Sequence, residues 1–133
     1  MKYLLDTNVC VDYLTGRYPP VAERLQATAP PDVVVSAIAV AELRYGAAKS
    51  ARPEANHRAL DLLLGDIAML DFDRNAAEAY GKLRAQLERR GTPIGPNDML
   101  IAAQAIAARL VLVTDNTDEF SRIQGLQVET WRR

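Results

Sequence analysis

Five acidic side chains stand at positions that could gather into one site: Asp6, Glu42, Asp98, Asp115 and Glu119. Asp6 ends the apolar run Tyr3-Leu4-Leu5 and is followed by Thr7-Asn8, while Asp115 ends Leu112-Val113-Thr114 and is followed by Asn116. An acid at a strand tip either caps the next helix or turn, or faces the crevice beyond the carboxyl ends of a parallel sheet, where ligands bind. If the two strands run parallel, Asp6 and Asp115 point into the same crevice. Glu42 sits within the apolar segment Ser36–Leu43, sharing a helical face with Ile38 and Tyr45, so its carboxylate must be paired, hydrated or metal-bound unless that face is a simple amphipathic boundary. Asp98 follows a loop stiffened by Pro93 and Pro96 and opens a helix, Met99–Ala108, that carries no charge until Arg109. A favourable helix dipole accounts for Asp98 by itself. Asp118 and Glu119 lie near the same edge if Phe120, Ile123 and Leu126 pack the last turn down.

Each acid has an ordinary structural explanation, but four or five carboxylates in one crevice repel one another unless protonated or neutralised by a cation. Oxygen donors without His or Cys suit Mg²⁺, or Mn²⁺, rather than zinc. The chemistry that follows is phosphodiester hydrolysis, in which metal ions position a water and neutralise the leaving oxygen. Other chemistries lack parts. His57 is the only histidine and lies in a polar helical stretch, so no Ser-His-Asp or Cys-His arrangement and no paired-histidine ribonuclease mechanism is available. The seven glycines form neither a P-loop nor a dinucleotide fingerprint.

The elements that must position these acids alternate along the chain. β-type runs occur at Tyr3–Leu5, Val33–Ser36, Ile67–Leu70, Leu110–Thr114 and Gln127–Thr130, separated by segments of helical spacing. Asp73 is placed to cap a helix from Arg74 to about Arg90, with Gly91 at its stop, and Pro53 suits the first turn of a helix carrying Leu60, Leu63 and Leu64. Twenty-one alanines favour helix. The pattern predicts an α/β fold: a three-layer α/β/α sandwich around a mainly parallel sheet of about five strands. With 133 residues, 49% hydrophobic and 25% charged, the chain fits one domain spanning 1–133 and excludes a disordered tail or low-complexity polymer. Cys10 is alone, so no internal disulfide or Cys/His zinc cluster forms, and no segment approaches the ~20 apolar residues of a membrane span. A cytosolic location is expected.

Sixteen Lys and Arg against seventeen Asp and Glu give a net charge of −1, which neither suggests nor excludes RNA. The bases are locally concentrated, however. Arg44, Lys49, Arg52 and Arg58 form one group, and Lys82, Arg84, Arg89 and Arg90 another. Beside an acidic crevice they would form a rim for a phosphate backbone; otherwise they are solvated helix faces.

The ordered motifs resemble the PIN-domain ribonuclease toxins of the VapC type, from bacterial toxin–antitoxin pairs. The matching stretches are Leu4-Leu5-Asp6-Thr7-Asn8, Ala41–Ala47, Ile94–Ala103 and Val113–Phe120, with the ending Gly125–Trp131. The resemblance covers essentially the whole chain. It implies a PIN-like sandwich and Mg²⁺-dependent endoribonuclease activity on tRNA or other structured RNA, initiator tRNA being the first candidate. It also implies a homodimer and a cognate VapB-like antitoxin whose C-terminal segment wraps the toxin. The family's acids carry over onto Asp6, Glu42 and Asp98, with Asp6 and Asp98 as the implied direct metal ligands. Relatives with a similar ending often have Asn where this chain has Asp115, and an acid immediately before the Phe, here Glu119, so the fourth acid is either Asp115 or Glu119. Two other readings compete: a PIN-like scaffold that grips RNA without cutting it, and a Mg²⁺-binding phosphoacceptor receiver domain. The latter lacks an acid next to Asp6 and a late lysine, the last being Lys82.

Overall fold

A computed structural model describes all 133 residues. Along the chain run β1 (Tyr3–Leu5), α1 (Thr7–Thr15), α2 (Pro19–Ala27), β2 (Val33–Ser36), α3 (Ala37–Ala48), α4 (Pro53–Asp66), β3 (Ala68–Leu70), α5 (Arg74–Arg90), α6 (Pro96–Ala108), β4 (Val111–Val113), α7 (Thr117–Phe120) and β5 (Val128–Glu129). The five strands form a single sheet in the order β3-β2-β1-β4-β5, and every pairing is parallel. This is the expected sandwich. β1 and β2 are buried along their full length, as strands covered on both faces must be, and their side chains Leu4, Leu5, Val34 and Val35 join Leu112 and Val113 of β4 in the core. Helices α1 to α4 pack on one another, α5 packs along α6, and the right-handed crossover rule sets these two groups on opposite faces of the sheet.

Local sequence sets the helix ends. Asp73 Oδ1 accepts the Ala76 N–H at 2.9 Å, and Gly91 ends α5 in the left-handed region at φ 66°. Proline occupies the first turn of α2, α4 and α6, where its missing N–H costs nothing. That preference moves one expected boundary: α6 starts at Pro96, so Asp98 lies inside its first turn rather than ahead of it. The strands are shorter than their apolar runs, β4 losing Leu110 and Thr114 and β5 losing Gln127 and Thr130.

The chain leaves β1 toward β2 and β3, then returns to the other side for β4 and β5. The winding therefore reverses between β1 and β4, and a crevice opens there beyond the carboxyl ends. No helix is long and apolar enough to cross a membrane.

Candidate active site

Asp6 lies at this reversal and is only 3% exposed. Its N–H donates to the Val113 carbonyl at 3.0 Å, continuing the β1–β4 ladder. Oδ1 accepts the Thr7 N–H at 2.7 Å, so Asp6 also caps α1. Oδ2 accepts the Thr114 hydroxyl at 2.7 Å and the Asn8 side-chain amide at 3.3 Å. Burial raises the Asp6 pKa, the bonds from Thr114 and Thr7 oppose that rise, and the Glu42 charge adds to it.

Glu42 is brought to the site by α3, whose start is fixed by Ser36 accepting the Ile38 and Ala39 N–H groups. Thr7 Oγ1 donates to Glu42 Oε1 at 2.8 Å. Thr7 thus bonds Asp6 through its backbone and Glu42 through its side chain. Asp98 arrives from α6, which two bonds of Gln104 tie to the strand ends: Ser36 Oγ donates to Gln104 Oε1 at 2.5 Å, and Gln104 Nε2 donates to the Leu70 carbonyl at 2.9 Å. Gly95 precedes this turn without a side chain, and a Cβ there would meet Asp98 Oδ2 at 3.4 Å. The Asp98 pKa is pushed up to about 6, first by burial and then by the charges of Asp6, Glu119 and Glu42. Glu119, on the short α7, is held by the Asn116 side-chain amide, while its neighbour Phe120 is fully buried.

Four of the five acids singled out in the sequence are therefore linked electrostatically: Asp98 feels Asp6, Glu119 and Glu42, and Asp6 feels Glu42. Asp115 is turned elsewhere. The register pairs Leu5 with Val113, which sets Asp6 level with Thr114, and Asp115 is one residue further along. The strand has ended at Val113, and the chain bends at Asp115. Asp115 Oδ2 meets Arg132 Nη1 there at 2.5 Å, a partner the expectation of a crevice shared with Asp6 did not include. Thr7, Asn8 and Thr114 are not among the acids that stand out in the sequence; their only signal is the Thr-Asn pair after Asp6 and the Thr before Asp115.

The donor set fits a hard divalent cation: four carboxylates with no His or Cys among them, whose charges add to burial in holding the Asp98 pKa up. No three of these side chains are drawn tightly enough to enclose an ion alone. A cation here would take one or two of these carboxylates and complete its shell with water, as Mg²⁺ does. The basic groups are partly committed. Arg44 bonds Asp61 at 2.5 Å and reaches His57 Nδ1 at 3.1 Å, and Arg84 pairs with Glu88 at 2.9 Å. Arg89 and Arg90 remain exposed in the last turn of α5, ahead of the loop that leads to Asp98.

The PIN domain family matches residues 3–126. The ribonuclease VapC2 of Rickettsia felis is 42% identical over 133 residues, which covers 98% of each chain. The tRNA(fMet)-specific endonuclease VapC of Shigella flexneri is 39% identical over 131 residues, again 98% of each chain. Among solved structures, VapBC2 from Rickettsia felis bound to a promoter DNA fragment superposes with a TM-score of 0.93 at 40% identity, covering 98% of this chain and 99% of that one. A receiver domain is thereby set aside. The chain belongs to the PIN-domain family, and within it to the VapC-type ribonucleases.

Proposed function

We propose that this protein is the toxin of a type II toxin–antitoxin pair, an endoribonuclease that depends on Mg²⁺, or Mn²⁺, and cuts tRNA, with initiator tRNA as the first candidate. The observation that carries this reading is the junction of Asp6, Glu42, Asp98 and Glu119 at the β1–β4 reversal, where Asp98 feels the charge of the other three. The substrate is suggested by the Shigella flexneri relative, a tRNA(fMet)-specific endonuclease. When bound, the cation neutralises charge developing on the phosphate and lowers the pKa of an attacking water. Asp6 and Asp98 would hold it. Asp6 presents a carboxylate whose orientation is fixed by three donors, and Thr7 keeps Glu42 aligned with it. Asp98 stands at the solvent side, partly exposed, where a phosphate approaches.

An apolar trough runs from the site between α1, α3 and α4, lined by Val11, Leu14, Leu43 and Leu60, with Thr7 and Glu42 also in its wall. An antitoxin segment of apolar side chains ending in a basic one complements that surface, and the structure of a VapBC complex from Rickettsia felis supports such a partner. Leu62 and Met69 are exposed apolar side chains available to a second copy of the chain. The domain proposed here spans 1–133.

Incubating purified, antitoxin-free protein with total RNA and mapping new 5′ ends tests the proposal. Discrete cuts confined to a tRNA are expected. Binding without cleavage at any divalent concentration would instead identify a non-catalytic RNA-gripping scaffold.

A further inference from the structure

We infer that Asp115 and Arg132 form a positioning clasp for the Asp6 carboxylate, and that Asp115 is not a fourth metal-facing acid. The inference rests on the metal-dependent reading above. All three guanidinium nitrogens of Arg132 are engaged. Nε and Nη2 donate to the two oxygens of Asp12 at 2.7 and 3.1 Å, and Nη1 donates to Asp115 Oδ2 at 2.5 Å. The Tyr18 ring lies 4.0 Å from the guanidinium carbon. Asp12 is 4% exposed, and Arg132 holds both of its oxygens.

The arm that carries Arg132 is itself fixed. Trp131 is buried and meets the Tyr3 ring edge-on at 5.3 Å between centroids, and β5 before it pairs with β4. Arg132 therefore fastens two elements to one another: α1, through Asp12, and the segment after β4, through Asp115. Those are the elements that hold Asp6. Thr7 and Asn8 of α1 donate to it from one side, and Thr114 donates from the other. The two sides also join directly, since the Asp115 N–H donates to Asn8 Oδ1 at 3.3 Å and Asn8 Nδ2 reaches Thr114 Oγ1 at 3.5 Å.

A planar guanidinium suits this task because its donors are fixed relative to one another, whereas an ammonium is a point charge. Outer residues that orient a metal ligand influence affinity without touching the ion.

Mn²⁺ binding followed by electron paramagnetic resonance, together with the Asn8 side-chain amide resonance, tests the clasp. Asp115→Ala should weaken Mn²⁺ binding about tenfold, at the low end for outer-shell residues, and should shift the Asn8 resonance. Asp115→Asn, which retains an acceptor for Arg132, should recover most of that affinity. Arg132→Lys should match Asp115→Ala, and the double variant should be no worse than either, since the pair acts as a unit. Arg132→Ala leaves Asp12 buried without its partner and is read only if it folds; the Asp115 variants do not depend on it. The clasp is overturned if Asp115→Ala leaves both Mn²⁺ affinity and the Asn8 resonance unchanged. It is equally overturned if Asp115→Asn loses Mn²⁺ as completely as Asp6→Asn, which would make Asp115 a direct ligand. If the unaltered protein binds no Mn²⁺, the metal-dependent reading fails separately. The Asn8 resonance in the Asp115→Ala variant then decides the clasp, movement supporting it and constancy overturning it.

Discussion

Thr114 Oγ1 donates to Asp6 Oδ2 at 2.7 Å, joining residues 108 positions apart across the point where the sheet reverses its winding. The bond exists because β1 and β4 end level with one another, so a hydroxyl at the tip of one strand meets a carboxylate at the tip of the next. It makes a buried acid tolerable and fixes its orientation at the same time.

Thr114→Val keeps the branched shape and removes that donor. Asp6 then loses a bond that favours its ionised form, and its pKa should rise further. A buried acceptor left short of a partner costs about 1–3 kcal/mol, readable in urea denaturation. Cleavage should fall about 10–100-fold, the range for groups that orient a metal ligand. Thr114→Ser should recover most of both, because the hydroxyl returns.

Asp98 carries a pH signature. Its folded pKa of about 6 lies above the ordinary 3.8, so between these values the folded protein binds more protons than the unfolded chain. Stability of the metal-free protein should therefore fall as pH rises through that window. Asp98→Asn removes the ionisation. In EDTA at pH 7 the variant should be the more stable protein, by about 1 kcal/mol after allowance for solvent at the site's mouth. The difference should vanish near pH 3. Paired denaturation curves across pH 3–8 check the sign.

Cys10 is buried beneath the site, and its thiol is pushed up to about 12, first by burial and then by the Asp6 charge. Only the thiolate reacts with disulfide reagents, so the folded protein should resist Ellman's reagent at pH 8 and react in full once unfolded. Rapid stoichiometric labelling of the native protein would place the thiol at the surface.

Arg89→Ala with Arg90→Ala tests the basic rim. If both side chains contact phosphates of the bound RNA, the slope of log K against log salt should decrease in magnitude by about 0.7 per contact for single strands. The variant should therefore bind more weakly at low salt and converge with the parent as salt rises. An unchanged slope would assign both side chains to solvent.

The sequence carried the fold through period and punctuation. The Arg74–Arg90 helix with its Asp73 cap and Gly91 stop is seen with the bounds its pattern predicted. Boundaries slipped where a neighbouring residue had its own preference, as with Pro96 at the head of α6. The acids were legible as residue types at strand tips and helix starts. Their sorting was not. The runs Leu-Leu-Asp-Thr-Asn and Leu-Val-Thr-Asp-Asn look alike along the chain, yet pairing Leu5 with Val113 offsets the two Asp residues by one. With the bend at Asp115, that offset leaves Asp6 bonded to Thr114 and Asp115 to Arg132. Register between strands 108 residues apart is a tertiary property and leaves no local trace. The same holds for Asp12, an unremarkable helical acid in sequence, whose role depends on a side chain 120 positions away.

A cation held by Asp6 and Asp98 would make cleavage depend on both the ion and the Asp98 carboxylate. The most direct test is the cleavage rate of an RNA substrate as a function of Mg²⁺ for the parent protein and for Asp98→Asn, with EDTA as the zero point. The rate should rise from nil in EDTA to saturation in Mg²⁺, and the variant should be folded but at least about 100-fold slower at every concentration. Cleavage that persists in EDTA, or an Asp98→Asn variant as active as the parent, would contradict it.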